Sequence, residues 1–334
     1  MSQVSKMSEK RNLRTELANA ILPKNISNRA GVAVSADQIR LIQAGIAKGT
    51  KRVYLSAWNQ FCKWRGIKDE TELVYFGSNQ VDAIVSTYAT HLYCEGQSPS
   101  YISLQVSALK RVAKLLNLNT GWIHTSETLK GIRREGRERG RGQSRGLTYE
   151  DSVRCMNFAE QQRPHETEHR SKKRSKVDRA IIALLFMAGL RRSEVASLQW
   201  RDVEEGAKIE EGFILVRVRS SKTNQEGRLD VRLLKGIGAE AIRHLRWSGC
   251  DPTEPVIKLS DRQIARRFLA CVESAGLKGE YTSHSGRIGL ASELTSRGAS
   301  SPEIALAGGW KSERMVLHYG RRARVERGAV AKYL

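Results

Sequence analysis

The residues that could do chemistry crowd toward the end of this chain. From Thr282 onward it reads Thr-Ser-His284-Ser-Gly-Arg287, then a helical pattern, then Ala-Gly-Gly-Trp310, then His318-Tyr319-Gly-Arg321. A histidine, arginines, an indole and a phenol recur at helix starts and turns. They form no metal-ligand cluster, and no Gly-rich nucleotide loop accompanies them. Cations and hydrogen-bond donors around one phenol are what phosphoryl transfer onto a tyrosine needs. A free phenol has a pKa of about 10 and is a weak nucleophile at neutral pH. Attack on a phosphodiester builds negative charge on its oxygens, so catalysis is mostly positioning and charge stabilisation. A guanidinium fork holds two oxygens at once, a helix N-terminus adds free N–H groups, and an indole can only donate.

Several elements must position these groups. Thr148 is an N-cap before Glu150 and Asp151. Arg163 to Arg179 is polar and basic, and reads as a surface loop between helices. Ile181 to Leu190 is nearly all apolar and predicts a buried helix, followed by Gly189-Leu190-Arg191-Arg192-Ser193-Glu194. Ser193 can cap the next helix, which sends Val195 and Leu198 inward. Arg191, at this junction, is by itself either a surface residue or an inward anion ligand. Phe213 to Val218 and the run Leu229, Val231, Leu233 alternate as two strands, joined by a polar hairpin tip carrying Lys222. A lysine there is solvated or swings into a site. Ile237 to Trp247 and Arg262 to Ala275 read as amphipathic helices. Ser283 caps a helix holding His284 and Arg287, three residues apart on one face. Ser301-Pro302-Glu303 opens a helix that Gly308-Gly309 ends, and Ser312 caps a helix carrying Met315, Val316 and Tyr319.

The balance of charge says what such a site would meet. Lys plus Arg is 57 against 35 Asp plus Glu in 334 residues, a net charge of +22. That excess points to a polyanion, with nucleic acid first and a membrane surface second. No apolar run reaches spanning length, and residues 1–14 are polar with no signal peptide. An aromatic content of 6% argues against a base-stacking single-strand binder. The five cysteines, Cys62, Cys94, Cys155, Cys250 and Cys271, form no C-x-x-C pair and read as reduced intracellular thiols, most of them core fillers.

Ahead of this region the pattern is helical. Residues 1–34 read as a mobile arm. From 35 to 134 a small all-helical bundle is expected: Val53, Ala57 and Phe61 on one face with Tyr54 and Trp58 beside them; a helix from Ser78; a helix after Ser98-Pro99; and a short one from Ser126 to Arg134. Lys110, Arg111 and Lys114 share a face that is either solvated or set against a DNA backbone. Between 135 and 147, Arg137, Arg139, Arg141 and Arg145 alternate with glycines, as in a flexible basic linker lying along phosphates. Residues 148–334 form the second domain.

On these residues the second domain resembles the catalytic domain of the tyrosine recombinases, or phage integrases. The matching motifs are His284-Ser-Gly-Arg287-Ile-Gly, Ala-Gly-Gly-Trp310 where many members have histidine, the spacing on to Tyr319, and the ending Glu326-Arg-Gly-Ala-Val330. The helical bundle resembles that family's core-binding domain more loosely. The resemblance implies a mostly α protein with a small antiparallel sheet in its C-terminal domain, closing as a two-domain clamp on duplex DNA. It implies Tyr319 as nucleophile, Arg191 and Arg287 on the scissile phosphate, Trp310 and His284 as donors to it, Lys222 as general acid and Glu194 as support for Arg191. It implies no metal and no cofactor.

The activity expected on that basis is site-specific recombination: one strand cut, a 3′-phosphotyrosine, a four-way junction, and a homotetramer on inverted-repeat DNA sites. A last apolar segment, with Val325, Ala329, Val330 and Tyr333, would dock in a neighbouring copy. Such a protein belongs in the cytoplasm with the nucleoid, in a prokaryotic, phage or plasmid setting. Two other functions share many of these features. A type IB topoisomerase relaxes supercoils without sequence preference, and a repressor or architectural protein uses the same clamp without cutting.

Overall fold

The computed structural model describes residues 37, 45–67, 78–115, 118, 120–140, 142–161, 163–205, 212–219, 230–246 and 249–333. The arm at 1–34, Lys222 and Arg141 lie outside them. The chain divides into two compact units, Met1–Gly142 and Gln143–Leu334.

The first unit is helical: α1 (Lys48–Arg65), α2 (Ser78–Cys94), α3 (Pro99–Leu115) and α4 (Ile123–Glu135). Its core is aromatic at one end, where Phe61 meets Tyr88 edge-on at 5.2 Å and Trp64 stacks on His91 at 5.7 Å. At the other end Asp82 of α2 is buried. It accepts hydrogen bonds from the Thr125 Oγ1 at 2.6 Å, the Thr125 amide at 3.0 Å and the His124 amide at 2.9 Å. Burial alone would raise the Asp82 pKa; these hydrogen bonds outweigh it and hold the carboxyl below its usual value. The carboxylate thus caps α4 from another helix, and α4 begins three residues ahead of the expected Ser126.

The second unit is built around one rod whose second half is buried. Helix α6 (Glu168–Ile182) runs into a π-helical turn, Ala183–Met187, and ends at Gly189. Around it lie α5 (Tyr149–Ala159), α7 (Arg192–Ser197), α8 (Ile237–Arg243), α9 (Asp261–Ser274), α10 (Ser285–Ser296) and α11 (Ser301–Gly308). Three short helices follow: α12 (Glu313–Tyr319), α13 (Arg321–Glu326) and α14 (Ala329–Tyr333). Strands β1 (Val203–Glu205), β2 (Ile214–Val218) and β3 (Asp230–Leu234) form an antiparallel sheet in that order, with Val203 opposite Val216 and Val216 opposite Arg232. Thr148, Ser260, Ser300 and Ser312 cap α5, α9, α11 and α12 by accepting from backbone amides.

The structure corrects several expectations. Most of Arg163 to Arg179 is not a loop: from Glu168 it is α6, capped by Thr167. Its inward positions are Ser171, Ser175 and Asp178, all buried, so hydropathy does not reveal the face. Asp178 is 0% exposed, and accepts from Arg267 Nε at 2.6 Å and Arg174 Nη1 at 3.2 Å, while Arg174 also grips Glu166 at 2.9 Å. Strand β3 is turned over relative to its apolar alternation. Val231 and Leu233 face out, at 42% and 50% exposure, and Arg232 and Leu234 face in. Helix α8 stops at Arg243. Ser193 and Ser283 do not cap: the residues preceding α7 and α10 are Arg191 and His284.

Candidate active site

Helix α10 sets the floor of the site. Its Gly289 lies directly against Leu147, and a Cβ there would collide with the Leu147 carbonyl oxygen. The Leu147 amide in turn donates to the Ser285 carbonyl at 3.0 Å. This close approach fixes the start of α10, with His284 at its N-cap and Arg287 one turn in.

Arg287 is 1% exposed, and among the described residues its hydrogen bonds go to backbone carbonyls. Its Nη1 donates to the Gly189 and Gly308 carbonyls, each at 2.5 Å, and its Nη2 to the Gly309 carbonyl at 3.3 Å. The indole of Trp310 lies against the guanidinium, 4.1 Å from ring centroid to Cζ. Three of the five N–H groups of an arginine are thereby committed. Burial draws the Arg287 pKa down to about 10; the charges of Arg191 and Arg232 add to the fall and Glu194 opposes it. The group stays cationic at neutral pH.

Arg191 stands where the buried rod ends. Glu194, 4% exposed, reaches back to it twice: Oε2 accepts from the Arg191 amide at 2.8 Å and Oε1 from its Nη1 at 2.6 Å. The carboxylate both caps α7 and fixes the guanidinium.

Tyr319 ends α12, where its carbonyl accepts from Ser292 Oγ of α10 at 3.0 Å. Its Oη lies 3.0 Å from His284 Nε2, and its ring centroid 6.2 Å from that of Trp310. Burial raises the phenol pKa above its ordinary value, against the pull of Arg287 and Arg191. Partial burial lowers the imidazole pKa of His284, with Arg287 and Arg191 adding to the effect, although the residue as a whole is exposed. Both shifts favour the uncharged forms at neutral pH, and the imidazole tautomer sets which of the two groups donates.

Arg191, Glu194, His284, Arg287, Trp310 and Tyr319 thus share one locus, and Lys222 lies outside the described residues. In the first unit, Lys110 lies over the Trp122 ring at 5.0 Å and Arg139 over Tyr93 at 3.9 Å, while Arg111 is half-buried and Lys114 and Arg137 are exposed. Sequence reasoning missed three features of the site. One is the carbonyls of Gly189, Gly308 and Gly309, which no side-chain pattern announces. Another is Ser292. The third is the buried Arg232, hidden by the misleading alternation of β3.

A helical domain carrying a small antiparallel sheet, with arginines, an indole, an imidazole and a phenol gathered at one locus, defines the catalytic fold of the tyrosine recombinases. The profile of the phage integrase family matches residues 145–325, more than half of the chain, and the chain belongs to that family. It is 28% identical over 139 residues to the recombinase Cre of Escherichia phage P1, a match covering 41% of this chain and only 34% of that protein. The fold is similar to that of XerH site-specific recombinase bound to palindromic difH substrate in a post-cleavage complex. There the TM-score is 0.59 at 15% identity, with 90% of this chain and 85% of the other covered. It is also similar to the Tn1549 transposon integrase in complex with transposon right end DNA, with a TM-score of 0.57 at 16% identity, covering 93% and 98%.

Proposed function

We propose that this protein is a site-specific DNA recombinase that cuts and rejoins duplex DNA through Tyr319. The observation that carries this reading is the 3.0 Å hydrogen bond between the Tyr319 phenol and His284, set beside the Arg287–Trp310 stack. A scissile phosphate held by Arg191 and the two uncommitted N–H groups of Arg287 would lie next to the phenol. The Tyr319 oxygen attacks phosphorus and the bond to the 5′ oxygen breaks. The phenolic proton passes toward His284 and the leaving oxygen takes a proton from Lys222. The product is a 3′-phosphotyrosine and a free 5′-hydroxyl. Attack by a 5′-hydroxyl of a second site reverses the chemistry and forms a four-way junction. Lys110, Arg111, Lys114, Arg137, Arg139 and Arg141 are proposed to grip the DNA backbone. The exposed Val325, Val330 and Tyr333, at 70%, 71% and 73%, support docking of the last helices on a neighbouring copy within a tetramer.

The test is covalent trapping. Wild type and Tyr319→Phe are incubated with DNA flanking the gene, in EDTA and without nucleotide, and run on denaturing gels. We expect an adduct at a 3′ end with wild type alone. Equal behaviour of the two proteins on DNA that both bind would favour a non-cutting clamp. Relaxation of plasmids lacking any candidate site would favour a topoisomerase. An adduct that needs divalent metal would remove the metal-free mechanism.

A further inference from the structure

An arginine occupies an inward position of a strand only where something offsets its desolvation. Arg232 on β3 is 2% exposed. It forks onto Asp230, two residues earlier: Nη2 donates to Oδ2 at 2.5 Å and Nη1 pairs with Oδ1. Nη1 also reaches the Val231 carbonyl at 3.2 Å, while the buried Nε has no hydrogen-bond partner among the described residues. A pair that merely crossed the core would be costly and replaceable. This one abuts the site.

The point of contact is Gly309. It closes α11 at a φ of 60°, and a Cβ on it would fall on the Arg232 guanidinium and 2.7 Å from Asp230 Oδ2. A Cβ on the preceding Gly308 would fall on the ring of Trp310. The turn is therefore held between an indole on one side and an ion pair on the other. The carbonyls of Gly308 and Gly309 are two of the three that orient Arg287. A displacement of the turn by a few tenths of an ångström would re-aim that guanidinium.

We propose that Arg232, with Asp230 as its counter-ion, is a positioning residue that holds the Gly308–Gly309–Trp310 turn where Arg287 can meet the phosphate. The proposal rests on the phosphotyrosine reading of the site and adds a residue to it. The hydrogen bonds of Arg232 among the described residues go to Asp230 and the Val231 carbonyl. Its electrostatic influence on Arg287 fits the proximity.

Two measurements on the full chain test it. The first is the single-turnover rate of adduct formation at saturating DNA, with affinity for the same DNA measured alongside. For Arg232→Met we expect the rate to fall at least tenfold while the affinity changes less than twofold. The second needs no activity. Acrylamide quenching of Trp310 is taken as the difference between each protein and its Trp310→Phe counterpart. Trp310 is 8% exposed and should be shielded in the wild type, and at least twice as accessible in Arg232→Met. Asp230→Asn keeps the arginine while weakening the fork, and should move both readouts the same way by a smaller factor. It also serves if Arg232→Met does not fold. Wild-type rate and a shielded Trp310 in the folded variants overturn the proposal, as does a rate loss that merely tracks the folded fraction. If the wild type itself binds DNA and forms no adduct, the functional reading falls, and the quenching comparison still decides whether Arg232 holds the turn.

Discussion

The pairing of Tyr319 with His284 sets a pH dependence. In the proposed reaction the imidazole must be neutral to accept the phenolic proton, and its pKa lies below the ordinary value because it is partly buried and faces Arg287 and Arg191. The rate of adduct formation should therefore hold through neutrality and fall as pH drops below about 6.5. His284→Gln should be slower throughout and lose that acidic limb. The same shift acts on stability with the same sign. The folded state disfavours the protonated ring, so the contribution of His284 is complete above the unfolded pKa of about 6.5 and is lost as pH falls through the folded one. At this scale the sequence was informative where punctuation surrounds the residue. His284, Arg287, Trp310 and Tyr319 stand beside serines and glycines that mark helix ends. Arg232 was not legible, because Val231, Leu233 and Leu234 give β3 apolar residues on both faces, and the inward face is the one that packs Leu234 into the core and Arg232 against Gly309.

Among the elements, α6 does the most to place the site while announcing itself least. One of its ends delivers Gly189 and Arg191 through a π turn, a distortion often found near functional sites. Along its length the inward groups are Ser171, Ser175 and Asp178, and the helix is held to α9 by charge rather than by apolar contact alone. Periodicity of apolar residues cannot find such a helix. Strand β1, three residues long, is likewise too short for any alternation to register. The buried hub carries a prediction. Asp178→Ala leaves Arg174 and Arg267 facing each other without a carboxylate between them, and should cost about 3–5 kcal/mol in urea unfolding. A change under about 1 kcal/mol, the range of exposed ion pairs, would mean that the hub is not a load on the fold.

At the scale of the whole molecule, the proposed function makes the charge of +22 the driver of encounter with DNA. Affinity should fall steeply with salt, with a slope of about −0.9 in log–log form for each phosphate neutralised. Replacing Lys110, Arg111 and Lys114 together by alanine should flatten that slope by about 2 to 3; an unchanged slope would place this face in solvent. Assembly is separable from binding. A chain ending at Arg324 loses the exposed Val325, Val330 and Tyr333, and should bind single sites while failing to bring two together, as sedimentation on DNA would show. Most helices were readable from caps and glycines, and alternation marked β2 and β3 without giving the facing of β3 or the existence of β1. The shape of the site was not, since three backbone carbonyls from separated segments define it.

Arg287 closes on carbonyls that lie 98 and 21 residues away along the chain. Every reactive group exists as soon as its residue is synthesised, but the clasp that arms them needs the rod, the start of α10 and the end of α11 to be in place together. A nascent or half-unfolded chain should therefore be harmless to any DNA it meets. If Tyr319 cuts DNA as proposed, connectivity is a safeguard, because the clasp on Arg287 joins segments 98 and 21 residues apart.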